Sequence, residues 1–279
     1  MSKAAKRERQ RLNREARREA ELVAAKRRQR FRLARNVGVL MLPLAVLFVV
    51  LQVVGDEDEK AGAAGCEEVR APDPKTQSFP SPPTTVIDPA HLYTATIDTT
   101  CGKIEMLLDT AQAPTTVNNF VFLAREGFYD GTTFHRAAKD FVIQGGDPAG
   151  DGSGGPGYSI AGEVPSEVVT YQVGSVAMAK GGQDPAGTAG SQFFIVSNPP
   201  AQQGEGLDVL NQKPYQYALL GQLADDGGRS LRVARQIESL APEGGDGPPT
   251  KTVVIQKVTI DEKTPASTTT TAPPPSSVP

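Results

Sequence analysis

The residues best suited to chemistry lie in one short polar and aromatic run. Residues 134–147 read FHRAAKDFVIQGGD, which places Arg136 beside aromatic residues and ahead of Gln144. A second run, GSQFF at 190–194, ends in two phenylalanines. An arginine next to apolar surface serves either as a fixed hydrogen-bond donor or as half of a structural ion pair. Residue types alone leave both interpretations open.

Other kinds of site lack the residues they need. GDGSGG at 150–155 fits GxGxxG, but Pro156 follows where a dinucleotide site needs a helix, and no GxxxxGK[ST] occurs. The only histidines, His91 and His135, are not spaced as a metal pair, and Ser191 lies in no lipase-type GxSxG. We therefore expect no metal and no cofactor. We interpret His135 as a buried histidine that holds backbone groups.

The two runs together closely resemble the cyclophilin family of peptidyl-prolyl isomerases. The matching motifs are FHR-x4-F-x-I-Q-G-G-D, then MA at 178–179 and GSQFF at 190–194, and the likeness extends over most of 93–260. The resemblance implies that Arg136 is the catalytic arginine and that Phe141 and Phe194 carry the pocket for the proline ring. The groove for the peptide backbone is implied to be lined by Gln144, Ala179 and Gln192.

The chain departs from the family pattern at several of these positions. Val142 stands where the family often has Met, and Lys180 where it often has Asn. The chain has no Trp; Leu210 and Tyr217 are the best matches for the late wall of the pocket, with extra residues at 211–216 between them. Since that Trp commonly contacts the drug in the family, we expect weak binding of cyclosporin.

The resemblance implies a mainly β fold, a closed eight-stranded antiparallel barrel capped by two α-helices. Hydrophobic periodicity agrees with it. Alternating residues across 92–108 predict a hairpin. Helices are predicted at 113–127, with Pro114 in the first turn, and at 230–240. The remaining short apolar runs, read as strands, lie at 141–143, 173–179, 193–196, 218–223 and 253–260.

Charge divides the chain before this body begins. Residues 1–36 hold 14 Lys and Arg against four acidic residues, which leaves 15 of the 29 basic and 28 of the 32 acidic residues to the rest. Residues 37–54 carry no charge, and 18 residues of helix span roughly 27 Å, close to the thickness of a bilayer core. We therefore predict a transmembrane anchor at 37–54, with a buried core helix as the alternative.

The basic residues precede the apolar stretch and GDEDEK at 55–60 follows it. This asymmetry predicts a cytoplasmic N-terminus and an extracytoplasmic body. A cleaved signal peptide with a site near 61–63 is the alternative. The arm at 1–36 lacks interleaved aromatic residues, so we expect a solvated arm and no nucleic-acid partner.

Composition predicts five segments. The arm (1–36) and anchor (37–54) precede an extracytoplasmic linker at 55–90, the isomerase domain at 91–261 and a disordered Ser/Thr/Pro tail at 262–279. Cys66 and Cys101 both lie on the outward side, where a pair of cysteines is expected to form a disulfide, although two free thiols remain an alternative. We expect a monomer.

The predicted function is isomerisation of prolyl peptide bonds in unfolded or extended polypeptides, which would assist the folding of exported proteins. A barrel that binds proline peptides without turnover is the main alternative, and a functional basic arm with the barrel as its anchor is a third.

Overall fold

The computed structural model describes residues 65–165, 170–198, 207–212, 214 and 216–264. The predicted arm and anchor, and most of the predicted tail, lie outside these residues. Within them, no helix has both the length and the apolar character needed to cross a bilayer.

The described chain is mainly β, with two longer helices. The elements are, in order, β1 (Leu92–Thr99), β2 (Gly102–Leu108), α1 (Pro114–Arg125), β3 (Thr133–Ala138), β4 (Val142–Asp147), β5 (Ile160–Ala161), β6 (Ser175–Met178), β7 (Thr188–Ala189), β8 (Phe193–Val196), α2 (Leu207–Leu210), β9 (Ala218–Leu223), α3 (Arg229–Glu238), β10 (Asp246–Gly247) and β11 (Ile255–Lys263). The predicted hairpin is β1 and β2, which pair antiparallel from Tyr93 opposite Leu108 to Thr99 opposite Gly102. Strand β11 extends two residues past the predicted domain end at 261.

The main sheet curls without becoming a fully paired barrel. Its nine described strands run in the order β10-β3-β4-β8-β6-β9-β2-β1-β11, antiparallel throughout. The outer edge of β3 is divided: β10 pairs with its end, and a single bridge joins Thr133 to Val254 at its start. Since no continuous ladder links β3 to β11, the predicted closed eight-stranded barrel is corrected to a half-barrel of curled sheet.

Both predicted helices are confirmed. Helix α1 begins at Pro114, whose ring suits a first turn, and buries an apolar stripe that includes Val117 and Phe120. Helix α3 buries Val233 and Ile237 and ends at Glu238, two residues before the predicted end.

The central strands separate two apolar clusters. Alternate side chains of a strand point to opposite faces, so Ile143 and Phe193 enter the large core inside the curl, while Val142 and Phe194 enter a smaller cluster outside it. The smaller cluster also contains Leu210. It therefore lies on the outer face of β4, β6 and β8, where the candidate site is found.

Residues 65–91, which we call the strap, lie against the body and precede β1. A disulfide joins Cys66 to Cys101 in the turn after β1. Lys75 Nζ donates three hydrogen bonds, each 2.8 Å long, to the carbonyls of residues 127, 128 and 130 just beyond α1. Phe79 packs edge-to-face on Phe122 of α1 at 4.9 Å between ring centroids. The strap is thus fastened by a covalent bond, a cation among carbonyls and an apolar contact.

Candidate functional site

Arg136 is held by partners on two sides. Its Nε and Nη2 donate to the two carboxylate oxygens of Asp246, each at 2.7 Å, and its Nη1 donates to Gln144 Oε1 at 3.1 Å. The hydrogen bonds to Asp246 raise the pKa of Arg136 despite its partial burial, so the guanidinium is a permanent cation. A guanidinium has five N–H groups. In the described part of the chain, these three bonds leave two of them without a partner.

A relay of two glutamines continues from Arg136 across the sheet. Gln144 lies opposite Arg136 in the β3–β4 ladder, and its Nε2 donates to Gln192 Oε1 at 3.0 Å. Gln192 Nε2 donates in turn to the carbonyls of Gly152 and Gly154, both at 2.9 Å. Each side-chain amide donates in one direction and accepts from the other. The relay therefore fixes the orientation of both amides and of the guanidinium.

A cavity of about 130 Å³ opens beside Arg136, and we call it the apolar cavity because five of its nine lining residues have apolar side chains. Phe194 and Tyr217 meet edge-to-face in its wall, with ring centroids 5.2 Å apart. Every residue that lines it belongs to the predicted site: Arg136, Phe141, Val142, Gln144, Ala179, Lys180, Phe194, Leu210 and Tyr217. The structure thus brings together all the predicted substrate and catalytic residues except Gln192.

Gln192 lines a second cavity of about 350 Å³ next to the first, which we call the polar cavity because glycines and polar side chains make up most of its lining. The two cavities share Gln144, Ala179 and Lys180, which form the ridge between them. Lys180 Nζ donates to the carbonyls of Gly181 at 3.1 Å and Asp184 at 2.9 Å, and it lies 5.9 Å from the centre of the Tyr217 ring. Together the cavities form a groove with an apolar end and a polar end.

The far wall of the polar cavity is the glycine-rich loop at 148–157. Buried Asp147 accepts backbone N–H bonds from Ala149, Asp151 and Gly152, at 2.9, 3.0 and 2.6 Å. A side chain at Gly154 would collide with the same carboxylate. The GxGxxG pattern is therefore a loop that wraps around Asp147. Two of its carbonyls accept the last hydrogen bonds of the glutamine relay.

His135 differs from its predicted role. Both ring nitrogens are buried, and neither makes a hydrogen bond of good geometry in the described structure, so the predicted role of holding backbone groups is not seen there. Gly152, which lies next to the ring, has other partners: its N–H donates to Asp147, and its carbonyl accepts from Gln192. Desolvation lowers the pKa of His135, which keeps the ring neutral at neutral pH.

Asp246 and Tyr171 belong to the site and were not predicted. Asp246 holds Arg136 from a two-residue strand 110 positions away. Tyr171 is buried in the outer cluster, and its hydroxyl donates to the Tyr217 carbonyl at 2.6 Å. Neither lies in a recognisable motif, and only the tertiary fold brings them to the groove. The described residues contain no group of three or more His, Cys, Asp or Glu arranged to hold a metal.

The sequence model of the cyclophilin type peptidyl-prolyl cis-trans isomerase family matches residues 94–260, which include all the groove residues. The chain belongs to the cyclophilin family. Among curated cyclophilin-family relatives, the probable peptidyl-prolyl cis-trans isomerase B of Mycobacterium tuberculosis is 35% identical over 215 residues, covering 71% of this chain and 64% of that protein. Isomerase B of Bacillus subtilis is 54% identical over 98 residues, covering 35% of this chain and 66% of that protein.

The chain therefore spans slightly less than two thirds of the length of these two relatives. Isomerase A of M. tuberculosis is 38% identical over 187 residues, which cover 62% of this chain and 94% of that shorter protein. A crystal structure of a cyclophilin type isomerase from Cryptosporidium parvum aligns with a TM-score of 0.50 at 28% identity, over 61% of this chain and 98% of its own. The cyclophilin fold accounts for the curled sheet and the two helices.

Proposed function

We propose that this chain is a peptidyl-prolyl cis-trans isomerase that acts on proline-containing unfolded or extended polypeptides. The observation that carries the proposal is the position of Arg136. It is a fixed cation at the edge of the apolar cavity, and two of its N–H groups have no partner among the described residues. Membership of the cyclophilin family supports it.

The barrier to this reaction is the loss of amide resonance. Rotation about a peptide bond costs about 18–20 kcal/mol because the planar form is stabilised by delocalisation of the nitrogen lone pair. As the bond twists, the proline nitrogen regains that lone pair and becomes a hydrogen-bond acceptor. A donor that meets it in the twisted state stabilises the transition state more than the ground state, and only such an interaction accelerates the chemical step.

Arg136 supplies this donor. The partners Asp246 and Gln144 hold the guanidinium in place, so little reorganisation is needed when the lone pair appears. A hydrogen bond to a charged group contributes about 1.5–3 kcal/mol, which corresponds to a rate factor of roughly ten to a hundred. No covalent intermediate and no proton transfer is required.

The apolar cavity holds the ring of the proline. Phe141, Phe194 and Leu210 present apolar surface to it, and burial of the ring removes water that would stabilise the planar amide. The ridge of Gln144 and Ala179 then lies where an extended backbone would continue into the polar cavity. In this arrangement the ring is gripped while the preceding carbonyl rotates.

The main test is Arg136→Ala, assayed for proline isomerisation of a peptide. We expect kcat/KM to fall by roughly ten- to a hundredfold with unchanged circular dichroism, because the donor is lost and the cavity remains. Arg232→Ala, on the exposed face of α3, is the matched control and should retain full activity. Full activity in Arg136→Ala would refute the mechanism, and peptide binding without turnover in the wild type would favour a binding module.

For the cellular setting, we propose an extracytoplasmic isomerase anchored at 37–54 that assists exported proteins. The charge asymmetry around the apolar stretch supports this orientation, and so does the disulfide, since disulfides persist in oxidising compartments. The full chain should remain with the membrane after alkaline extraction, and protease added outside intact cells should cleave the domain. Full release into the soluble fraction would contradict the anchor.

A further inference from the structure

The turn that carries Phe141 into the apolar cavity contains a strained residue. Asp140, between β3 and β4, has φ of 55° and is the only non-glycine residue of the described chain with positive φ. Side chains other than glycine rarely adopt this conformation, although Asp tolerates it better than most. Such a conformation persists only where the surroundings hold it in place.

The brace is Glu238, the last residue of α3. Its Oε1 accepts a hydrogen bond from the backbone N–H of Asp140 at 2.7 Å, and its Oε2 accepts one from Nδ2 of Asn198, also at 2.7 Å. Asn198 follows Ser197, whose backbone N–H donates to the carbonyl of Phe141 at 3.0 Å. One carboxylate therefore ties together the two chain segments on either side of Phe141.

Glu238 is an unfavourable residue for its position unless these bonds matter. Its exposed fraction is only 4%, and burial of a carboxylate is costly without hydrogen bonds. It also lies at the carboxyl end of a helix, where the helix dipole disfavours negative charge. The bonds to Asp140 and Asn198 offset these costs. The Glu238 carboxylate is thus stabilised by its hydrogen bonds to the turn and to Asn198, and not by its place in the helix.

We propose that Glu238 is a positioning residue for substrate binding, which holds the strained Asp140 turn so that the Phe141 ring stays in the wall of the cavity. Glu238 does not line either cavity and acts only through Phe141. The inference rests on the proposed function to the extent that the cavity receives a proline ring.

The first test is Glu238→Ala in the full chain. We expect KM for a proline peptide to rise about fivefold to tenfold while kcat changes less than about twofold, because Phe141 is displaced and Arg136 is not. Hydrogen–deuterium exchange over 139–142 should become faster. Glu238→Gln keeps an acceptor for the Asp140 N–H and should restore most of both properties. If Glu238→Ala does not fold, the same measurements on Glu238→Asp, whose shorter side chain withdraws the acceptor, replace it.

The decisive test is rescue by a second substitution. Glycine adopts positive φ without strain, so Asp140→Gly should make the brace unnecessary. We expect the double variant Glu238→Ala/Asp140→Gly to return KM to within about twofold of the wild type. Ile237→Val, a neighbouring core residue of α3, is the control: it should lower the melting temperature, leave KM unchanged and gain nothing in KM from Asp140→Gly.

The two hypotheses fail in different ways. If the wild type does not accelerate isomerisation, the proposed function is wrong, and the positioning role is judged by peptide affinity and by exchange over 139–142. If the wild type is active but Glu238→Ala leaves KM and exchange unchanged, the positioning role is wrong. Equal rescue of the Ile237→Val variant by Asp140→Gly would also overturn it, since the effect would then be one of general stability.

Discussion

The groove and the strap fasten the same glycine-rich loop in opposite ways. On the groove side, the Gln192 side chain donates to carbonyls in the middle of the loop, at Gly152 and Gly154. On the strap side, the backbone N–H groups of Lys75 and Phe79 donate to the carbonyls near its two ends, at residues 148 and 156, both bonds 2.8–2.9 Å long. The loop is thus held by side-chain donors from the groove and by backbone donors from the strap.

The two regions differ in what they contribute. The groove depends on polar side chains that are half exposed, which a bound polypeptide can reach and exchange for its own groups. The strap relies on a disulfide and partly buried contacts, and its residues 65–91 precede the family match at 94–260. We therefore expect the groove to govern activity and the strap to govern stability. Substitutions in each region should separate these two properties.

The largest effect is expected from removing the disulfide with Cys66→Ser/Cys101→Ser. The two cysteines are 35 positions apart, and closure of a loop of this size stabilises the folded state by about 3–4 kcal/mol in the chain-entropy model. Urea unfolding should show that the free energy of unfolding falls by about this amount, and reduction of the wild-type disulfide should have the same effect. Below the unfolding transition, kcat/KM should stay within about twofold. A parallel loss of activity in the folded variant would show that the regions are coupled.

The next effect is expected from Asp246→Ala, which tests the groove. Removal of the bidentate partner of Arg136 should lower kcat/KM by about tenfold, or about 1.4 kcal/mol, because the guanidinium loses its orientation. The Asp246 side chain is 50% exposed, and exposed ion pairs add little to stability, so the melting temperature should change by only a few degrees. Asp246→Asn should be intermediate. Unchanged activity would mean that Asp246 does not orient Arg136. Higher activity would mean that Asp246 holds Arg136 away from the substrate.

The smallest effect concerns the end of the strap and depends on pH. Glu262 accepts hydrogen bonds from the Tyr93 hydroxyl and from His91, the last strap residue, and pairs with Arg125; these partners lower its pKa from 4.5 to about 2. A depressed pKa stabilises the fold above the unfolded value and loses that contribution as pH falls toward the folded value. Glu262→Gln should therefore lower the melting temperature modestly at neutral pH. The difference from wild type should shrink between about pH 4.5 and 2, and a constant difference would contradict the linkage.

Much of the groove was predictable because it lies on strands close in sequence. Arg136 and Gln144 are opposite each other in one hairpin, so their spacing in sequence fixes their spacing in the sheet. Phe194 was predictable only from the family motif GSQFF, since β8 pairs with β4 from far along the chain. The helices followed from their apolar stripes. These features depend on local periodicity and on the motifs of one family.

The remainder depends on contacts that no local pattern encodes. Asp246 is in a two-residue strand within GGDGPP, which resembles an ordinary turn. The composition of the linker predicts a spacer, yet Lys75 and Phe79 pack against α1 and the residues just beyond it. Three carbonyls after the helix and the half-buried Phe122 ring offer them partners. The sheet does not close into a barrel because β10 pairs with part of the edge of β3 and leaves only one bridge there to Val254. This pairing depends on the folded chain.

The three carbonyls around Lys75 also make its amine a built-in reporter of strap docking. While the strap is in place, all three ammonium protons are engaged by the carbonyls of residues 127, 128 and 130. Amine-reactive reagents should therefore modify Lys75 later than exposed lysines such as Lys251 and Lys257. Once the strap lifts, its labelling rate should match theirs. The order in which lysines react thus shows, without any substitution, whether the strap is attached to the body.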